Sequence, residues 1–198
     1  MGEIREPIKR TSIEKKNKII EKGFELICEK GYHNVTSIDI AKYAKVSTGI
    51  IYQYFQDKRD IFIAGIRDYA DKIMFPMLQT LEVKKFNSND LKDIISNMID
   101  IFIKNHKMTK KAHEELMAMS HLDDEIGDIF KQKEIEVTEK LKNIFNNNNI
   151  NISKENIHIA HGIIDNFCHE VVYHKHEELN YEKKKKKVID IVYDLLSK

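Results

Sequence analysis

The chain has 198 residues, 41% hydrophobic and 33% charged. That is enough apolar content for a sizeable buried core and too much for a chain that stays disordered. Seven glycines and two prolines leave long uninterrupted segments, which favours helices throughout. The net charge of +1 argues neither for nor against a nucleic-acid partner. Residues 1–60 hold 12 Lys/Arg against 9 Asp/Glu, a slight basic bias at that end.

No apolar run approaches the roughly 18 residues of a transmembrane helix, and the charged opening "MGEIREPIKRTSIEKK" is not a secretory signal. Cys28 and Cys168 each lie inside an apolar helical pattern and read as reduced, buried thiols of a cytoplasmic protein.

In chain order, residues 12–30 predict a first helix, with Ile20, Gly23, Phe24 and Ile27 on one face and Gly31 as a left-handed cap. "TSID" places Thr36 as N-cap with Asp39 three residues on, opening helix two. Ser47 and Asp57 are positioned to cap helices three and four. The fourth pattern is long, and Pro76 should kink or end it near Phe75. Helices five to nine follow from apolar spacing around Ile95, Leu116, Leu141, Ile164 and Val192, with the asparagine run before Ser153 as a loop. No strand pattern or internal repeat appears. The expectation is all-α, with residues 1–60 as one domain, residues 1–11 of it a flexible arm, and residues 61–198 as another.

Helices two and three fit a helix-turn-helix. Ala41 keeps helix two thin, Val46 plugs the turn, and Ile51 and Phe55 face inward. Gly49, Tyr52 and Gln53 fall on another stripe, bordered by Thr48. A glycine inside a helix costs about 1 kcal/mol against alanine. A helix laid into a DNA major groove gives it a reason, since the missing side chain lets backbone approach the bases. Hydroxyls of Thr36, Ser37, Thr48, Tyr52 and Tyr54 are candidate donors to phosphate, and Lys58 adds a charge. Plain packing of both tyrosines is the competing reading.

Residues 14–62, including "KIIEKGFELICEKGYHNVTSIDIAKYAKVSTGIIYQYFQDKRDIF", resemble the DNA-binding domain of the TetR (tetracycline-repressor) family of bacterial transcriptional regulators. Ile40-Ala41, Ala44, Val46-Ser47, Gly49, Ile51-Tyr52, Tyr54-Phe55, Lys58 and Ile61 carry the likeness; Lys45 departs from it, standing where the family usually has glycine. The resemblance implies that Thr36, Ser37, Thr48, Gly49, Tyr52, Gln53, Tyr54 and Lys58 contact a double-stranded DNA operator. Arg5, Lys9, Arg10, Lys15 and Lys16 could form an arm tracking a groove, or a solvated tail. The resemblance further implies a homodimer through helices eight and nine, whose apolar faces carry Ile164, Phe167, Val171, Ile191 and Leu195. It also implies a small-molecule effector among helices five to eight, where Met98, Phe102, Met117, Met119 and Phe130 are candidate lining. The expected protein is a cytoplasmic, ligand-responsive regulator, a repressor released by a mainly apolar effector, with no cofactor and no membrane.

His158, His161, Asp165 and His169 lie within an arc of roughly 80° on helix eight. They make weak metal candidates, with His113 or His121 from elsewhere, although three histidines spread over about 16 Å cannot reach one ion unaided. The lysine run 183–187 rings its helix and reads as solvated. No nucleophile elbow, phosphate loop or dinucleotide motif is present, so an enzyme is not expected. The alternatives are a DNA-binding regulator without a small ligand, or a helical metal-binding protein.

Overall fold

A computed structural model describes residues 7–82, 85–106 and 108–197, without the side chains of 70–77, 79 and 80. Among the described residues the fold is all-helical. The helices are α1 (Arg10–Lys30), α2 (Ser37–Ala44), α3 (Thr48–Tyr54), α4 (Lys58–Glu82), α5 (Leu91–Asn105), α6 (Lys110–Leu122), α7 (Asp124–Asn147), α8 (Lys154–Tyr173) and α9 (Tyr181–Leu196), with two short 3-10 turns. The first helix starts at Arg10, so Arg10, Lys15 and Lys16 belong to α1 rather than to an arm; Lys9 is its N-cap, and Arg5 lies outside the described residues.

The chain divides into two compact units: Met1–Ala70 with Lys107–Ile129, and Asp71–His106 with Phe130–Lys198. The first is therefore larger than the 60 residues read from sequence, because α6 and the start of α7 join it. Two bonds of Thr109 show why: its N–H and its hydroxyl both donate to the Cys28 carbonyl, at 3.2 and 2.9 Å. The core of this unit holds Ile19, Phe24, Ile27, Ile40, Ile51, Phe55, Ile61, Phe62 and Ile66. Phe24 stacks on Phe62 with centroids 5.9 Å apart. Close helix approach depends on Gly65, where an added Cβ would lie 2.5 Å from the Phe24 ring.

The second unit packs α5, α8 and α9 together around Ile95, Ile99, Leu141, Phe145, Ile157, Phe167, Cys168 and Val192. Ile164 and Phe167 are buried within this core, 7% and 3% exposed. They are thus not surface residues awaiting a second subunit, as their apolar stripe suggested. Burial pushes the thiols of Cys28 and Cys168 up to about 12, which leaves both unreactive at neutral pH.

Local chemistry sets the helix ends. The α2 C-terminus is a Schellman turn: the Val46 N–H donates to the Ala41 carbonyl at 3.0 Å and the Lys45 N–H to that of Lys42 at 3.1 Å. Lys45 takes the left-handed position, φ 56° and ψ 47°, costing about 1 kcal/mol for a residue with a Cβ. Asn149 does the same after α7, at φ 59°, with matching bonds from Ile150 to Phe145 and from Asn149 to Asn146. Gly31 departs from expectation: its φ of 86° is positive but its ψ of 149° is extended, a combination open only to glycine. Pro76 does not end α4, which continues to Glu82. A proline inside a helix costs about 3 kcal/mol, and α4 is anchored on both sides of it, by Ile61, Phe62 and Ile66 before and Leu78 and Leu81 after. The side chains of Phe75, Pro76 and Met77 lie outside the described residues.

Candidate nucleic-acid interface

The entry to α2 is fixed by a reciprocal cap. The Asp39 N–H donates to Thr36 Oγ1 at 3.2 Å, and the Thr36 N–H donates to Asp39 Oδ2 at 3.0 Å. The Thr36 hydroxyl also donates to Asp39 Oδ2, at 2.5 Å. These bonds from Thr36, the hydroxyl's first, hold the Asp39 carboxyl below the usual carboxylate range. The hydroxyl hydrogen of Thr36 is therefore committed inside the protein. Ser47 occupies the N-cap of α3 without a side-chain bond; Asp57 does cap α4, accepting from the Arg59 N–H at 2.6 Å and the Asp60 N–H at 3.3 Å.

On α3, Ile51 and Phe55 point into the core, 0% and 3% exposed. Tyr52 is 51% exposed, Gln53 and Gly49 are exposed, and Thr48 is half-exposed. No atom lies within 4 Å of where a Gly49 Cβ would stand. Nothing in this unit asks for a glycine there, in contrast to Gly65. Tyr54, grouped from sequence with the DNA-facing residues, is 6% exposed: it shares the inward stripe of Ile51 and Phe55, so its ring packs in the core.

Lys58 also differs from expectation. Its Nζ donates to the carbonyls of Tyr32 and Val35, at 2.8 and 2.9 Å, and stands 4.2 Å from the centroid of the Tyr32 ring. Two of its three N–H donors thus tie the start of α4 to the turn preceding α2. Arg59 makes a second tie, to the junction of α6 and α7. Its Nε and Nη2 donate to the Asp123 carboxylate at 2.7–3.0 Å, and Nη1 donates to Glu125 Oε2 at 3.0 Å. The guanidinium holds the Asp123 carboxyl below its usual range.

In the second unit a cavity of about 30 Å³ is lined by Leu91, Ile94, Ile95, Met98, Phe102, Leu141, Phe145, Ile157, Ala160, His161, Ile164, Asp165 and Leu196. Of the residues named from sequence as candidate lining, Met98 and Phe102 border this cavity. Met117 and Met119 belong to α6 in the other unit, and Phe130 does not reach the cavity wall. His161 is 8% exposed, and its Nε2 has no hydrogen-bond partner. Burial pushes its pKa below the ordinary imidazole value, so it stands neutral in a largely apolar wall whose other polar residue is Asp165.

The helix-eight metal candidates do not converge. His158 is exposed, its Nδ1 3.2 Å from Thr138 Oγ1, His161 is buried, and His169 bonds Asp165. His113 and His121 are in the other unit. Among the described residues no group of three or more His, Cys, Asp or Glu is placed to hold a metal ion, and no helix is long and apolar enough to cross a membrane. Neither the carbonyl partners of Lys58 nor the isolated His161 Nε2 is marked by a local pattern of residues, since both depend on packing.

Comparison with known proteins bears on these features. The sequence profile of bacterial regulatory proteins of the tetR family matches residues 19–64. The chain is 45% identical over 58 residues to the HTH-type transcriptional regulator HbdR of Aromatoleum sp., covering 29% of this chain and 25% of HbdR. It is 30% identical over 114 residues to the fatty acid metabolism regulator protein of Bacillus subtilis, covering 57% of this chain and 59% of that protein. The chain thus spans between a quarter and three-fifths of the lengths of these relatives. Among solved structures, Salmonella enterica GusR shares the fold with a TM-score of 0.69 at 15% identity, over 96% of this chain and 99% of GusR.

Proposed function

We propose that this chain, which belongs to the tetR family of bacterial regulatory proteins through residues 19–64, is a DNA-binding transcriptional regulator that reads its operator with α3. Gly49 carries the reading: an exposed helical glycine with empty space at its Cβ gives up helix stability with no return inside the protein, whereas backbone lying in a major groove uses the missing side chain. Tyr52, Gln53 and Thr48 flank it, with Ser37 as a further contact to phosphate. The test is fluorescence anisotropy with DNA upstream of the protein's own gene against unrelated DNA, at two salt concentrations. Specific binding is expected, with Tyr52→Ala weakening it about tenfold or more; equal affinity for both DNAs, or no effect of Tyr52→Ala, contradicts the reading.

Operators read by helix-turn-helix proteins are usually paired half-sites, which calls for a dimer. We place the dimer contact on the outer faces of α8 and α9. Ile159 and Ile191 are 51% and 53% exposed there, and a Cβ at Gly162 would meet nothing within 4 Å. Val171 and Leu195, half-buried, border this face; Ile164 and Phe167 do not. Ile159→Glu should therefore yield monomers in sedimentation velocity, weakening association about tenfold or more by burying an unpaired charge, while a cooperative melt shows that each chain still folds. A variant that remains dimeric places the contact elsewhere.

The effector reading rests on the cavity. Its largely apolar wall, with the His161 imidazole and the Asp165 carboxyl as its polar groups, suits a small, mainly apolar molecule with a hydrogen-bonding group. At about 30 Å³ it is well below the roughly 300–1,000 Å³ of a ligand pocket, so entry has to part the helices that line it. One of these, α7, runs on into the unit that holds α3, as does α4. This gives an apolar effector a route to release a repressor from DNA, in a protein that works in the cytoplasm.

A further inference from the structure

At the end of α5, His106 meets His169 of α8. Their Nε2 atoms are 3.2 Å apart, with ring centroids at 4.9 Å and planes at 89°. The other nitrogen of each ring is already committed. His106 Nδ1 lies 2.8 Å from the Phe102 carbonyl oxygen, which can only accept, so that nitrogen carries the hydrogen. His169 Nδ1 lies 3.1 Å from Asp165 Oδ2, and the carboxylate again accepts. With hydrogen on both Nδ1 atoms, the two Nε2 atoms turn their lone pairs toward one another. A positive centre has to lie between them.

We propose that His106 and His169 form a two-histidine binding site for a divalent transition-metal ion of the zinc type. Two imidazoles at zinc–nitrogen distances of about 2.0–2.1 Å in tetrahedral geometry set their nitrogens roughly 3.3 Å apart, close to the separation present here. The outer partners are those that orient metal-bound histidines, a backbone carbonyl on one ring and a carboxylate on the other. Asp165 also supplies the negative charge that an ion between neutral rings needs. The His169 side chain is 25% exposed, so an ion can arrive from solvent, and two protein ligands leave positions for water or a small anion. The site differs from the helix-eight set in that α5 supplies the second ligand, which removes the reach problem of a single helix. A proton shared between the rings is the competing occupant. The inference lies wholly in the second unit and stands apart from the DNA-binding reading.

The test uses the full, untagged chain, titrated with Zn²⁺ by calorimetry and with Co²⁺ by visible absorption. One site per chain binding far tighter than millimolar is expected, together with shifts of the His106 and His169 Nε2 resonances in the wild-type protein. His106→Gln and His169→Gln should each abolish it, Asp165→Asn should weaken it about 10–100-fold, and His176→Gln should leave it unchanged. Circular dichroism melts identify any variant that fails to fold, in which case the wild-type resonances decide. No binding tighter than millimolar, binding that survives His106→Gln, or unmoved Nε2 resonances would overturn the proposal and leave the pair bridged by a proton.

Discussion

Gly49→Ala is expected to leave the protein as stable as before, or up to about 1 kcal/mol more stable, while operator affinity falls at least about tenfold. The two halves of this result have separate causes. In the free protein a methyl at Gly49 meets nothing within 4 Å, so alanine brings only its better helix propensity. In the proposed mode of binding, the same methyl would stand where α3 backbone approaches the base edges. A misfit in a packed contact costs about 1–3 kcal/mol, and a dimer meets it twice. Thermal melting and anisotropy on one preparation read both halves. Affinity unchanged by the substitution would place the groove contact on another face of α3.

Lys58→Met is expected to lower stability by about 1–3 kcal/mol, because the carbonyls of Tyr32 and Val35 both lose a charged donor. For a chain of this size that is a fall of about 2–4 °C in Tm per kcal/mol. Methionine keeps most of the aliphatic stem, so the loss reports on the ammonium. The salt dependence of DNA binding separates this role from a phosphate contact: loss of a phosphate contact reduces the salt slope by about 1. We expect weaker binding with a nearly unchanged slope, as the turn before α2 loosens. Unchanged stability with a reduced slope would return Lys58 to the phosphate contacts.

What the sequence disclosed divides by range. The Thr36–Asp39 box, the Asp57 cap and the inward stripe of Ile51 and Phe55 were legible because each is set within a few residues. The burial of Tyr54 was equally local: it lies three residues after Ile51, one before Phe55, and on the far side of α3 from Tyr52. The internal role of Lys58 was not legible, since its acceptors lie 26 and 23 residues away. Nor was the membership of α6, fixed by Thr109 bonding Cys28 across 81 residues. Helix α8 is apolar on more than one side, and periodicity does not say which side the core takes; so Ile164 and Phe167 read as an interface when they are interior. His106 carries no local mark at all, and only the packing of α5 on α8 brings it to His169.

The measurement that bears most directly on the central claim is selection of bound sequences from a random duplex library by the purified full-length protein. A dimer reading DNA with α3 predicts an enriched inverted repeat, its half-sites about one helical turn or a multiple of it apart, and no enrichment with Tyr52→Ala. A wild-type selection with no enriched sequence, or the same repeat recovered with Tyr52→Ala, would contradict it.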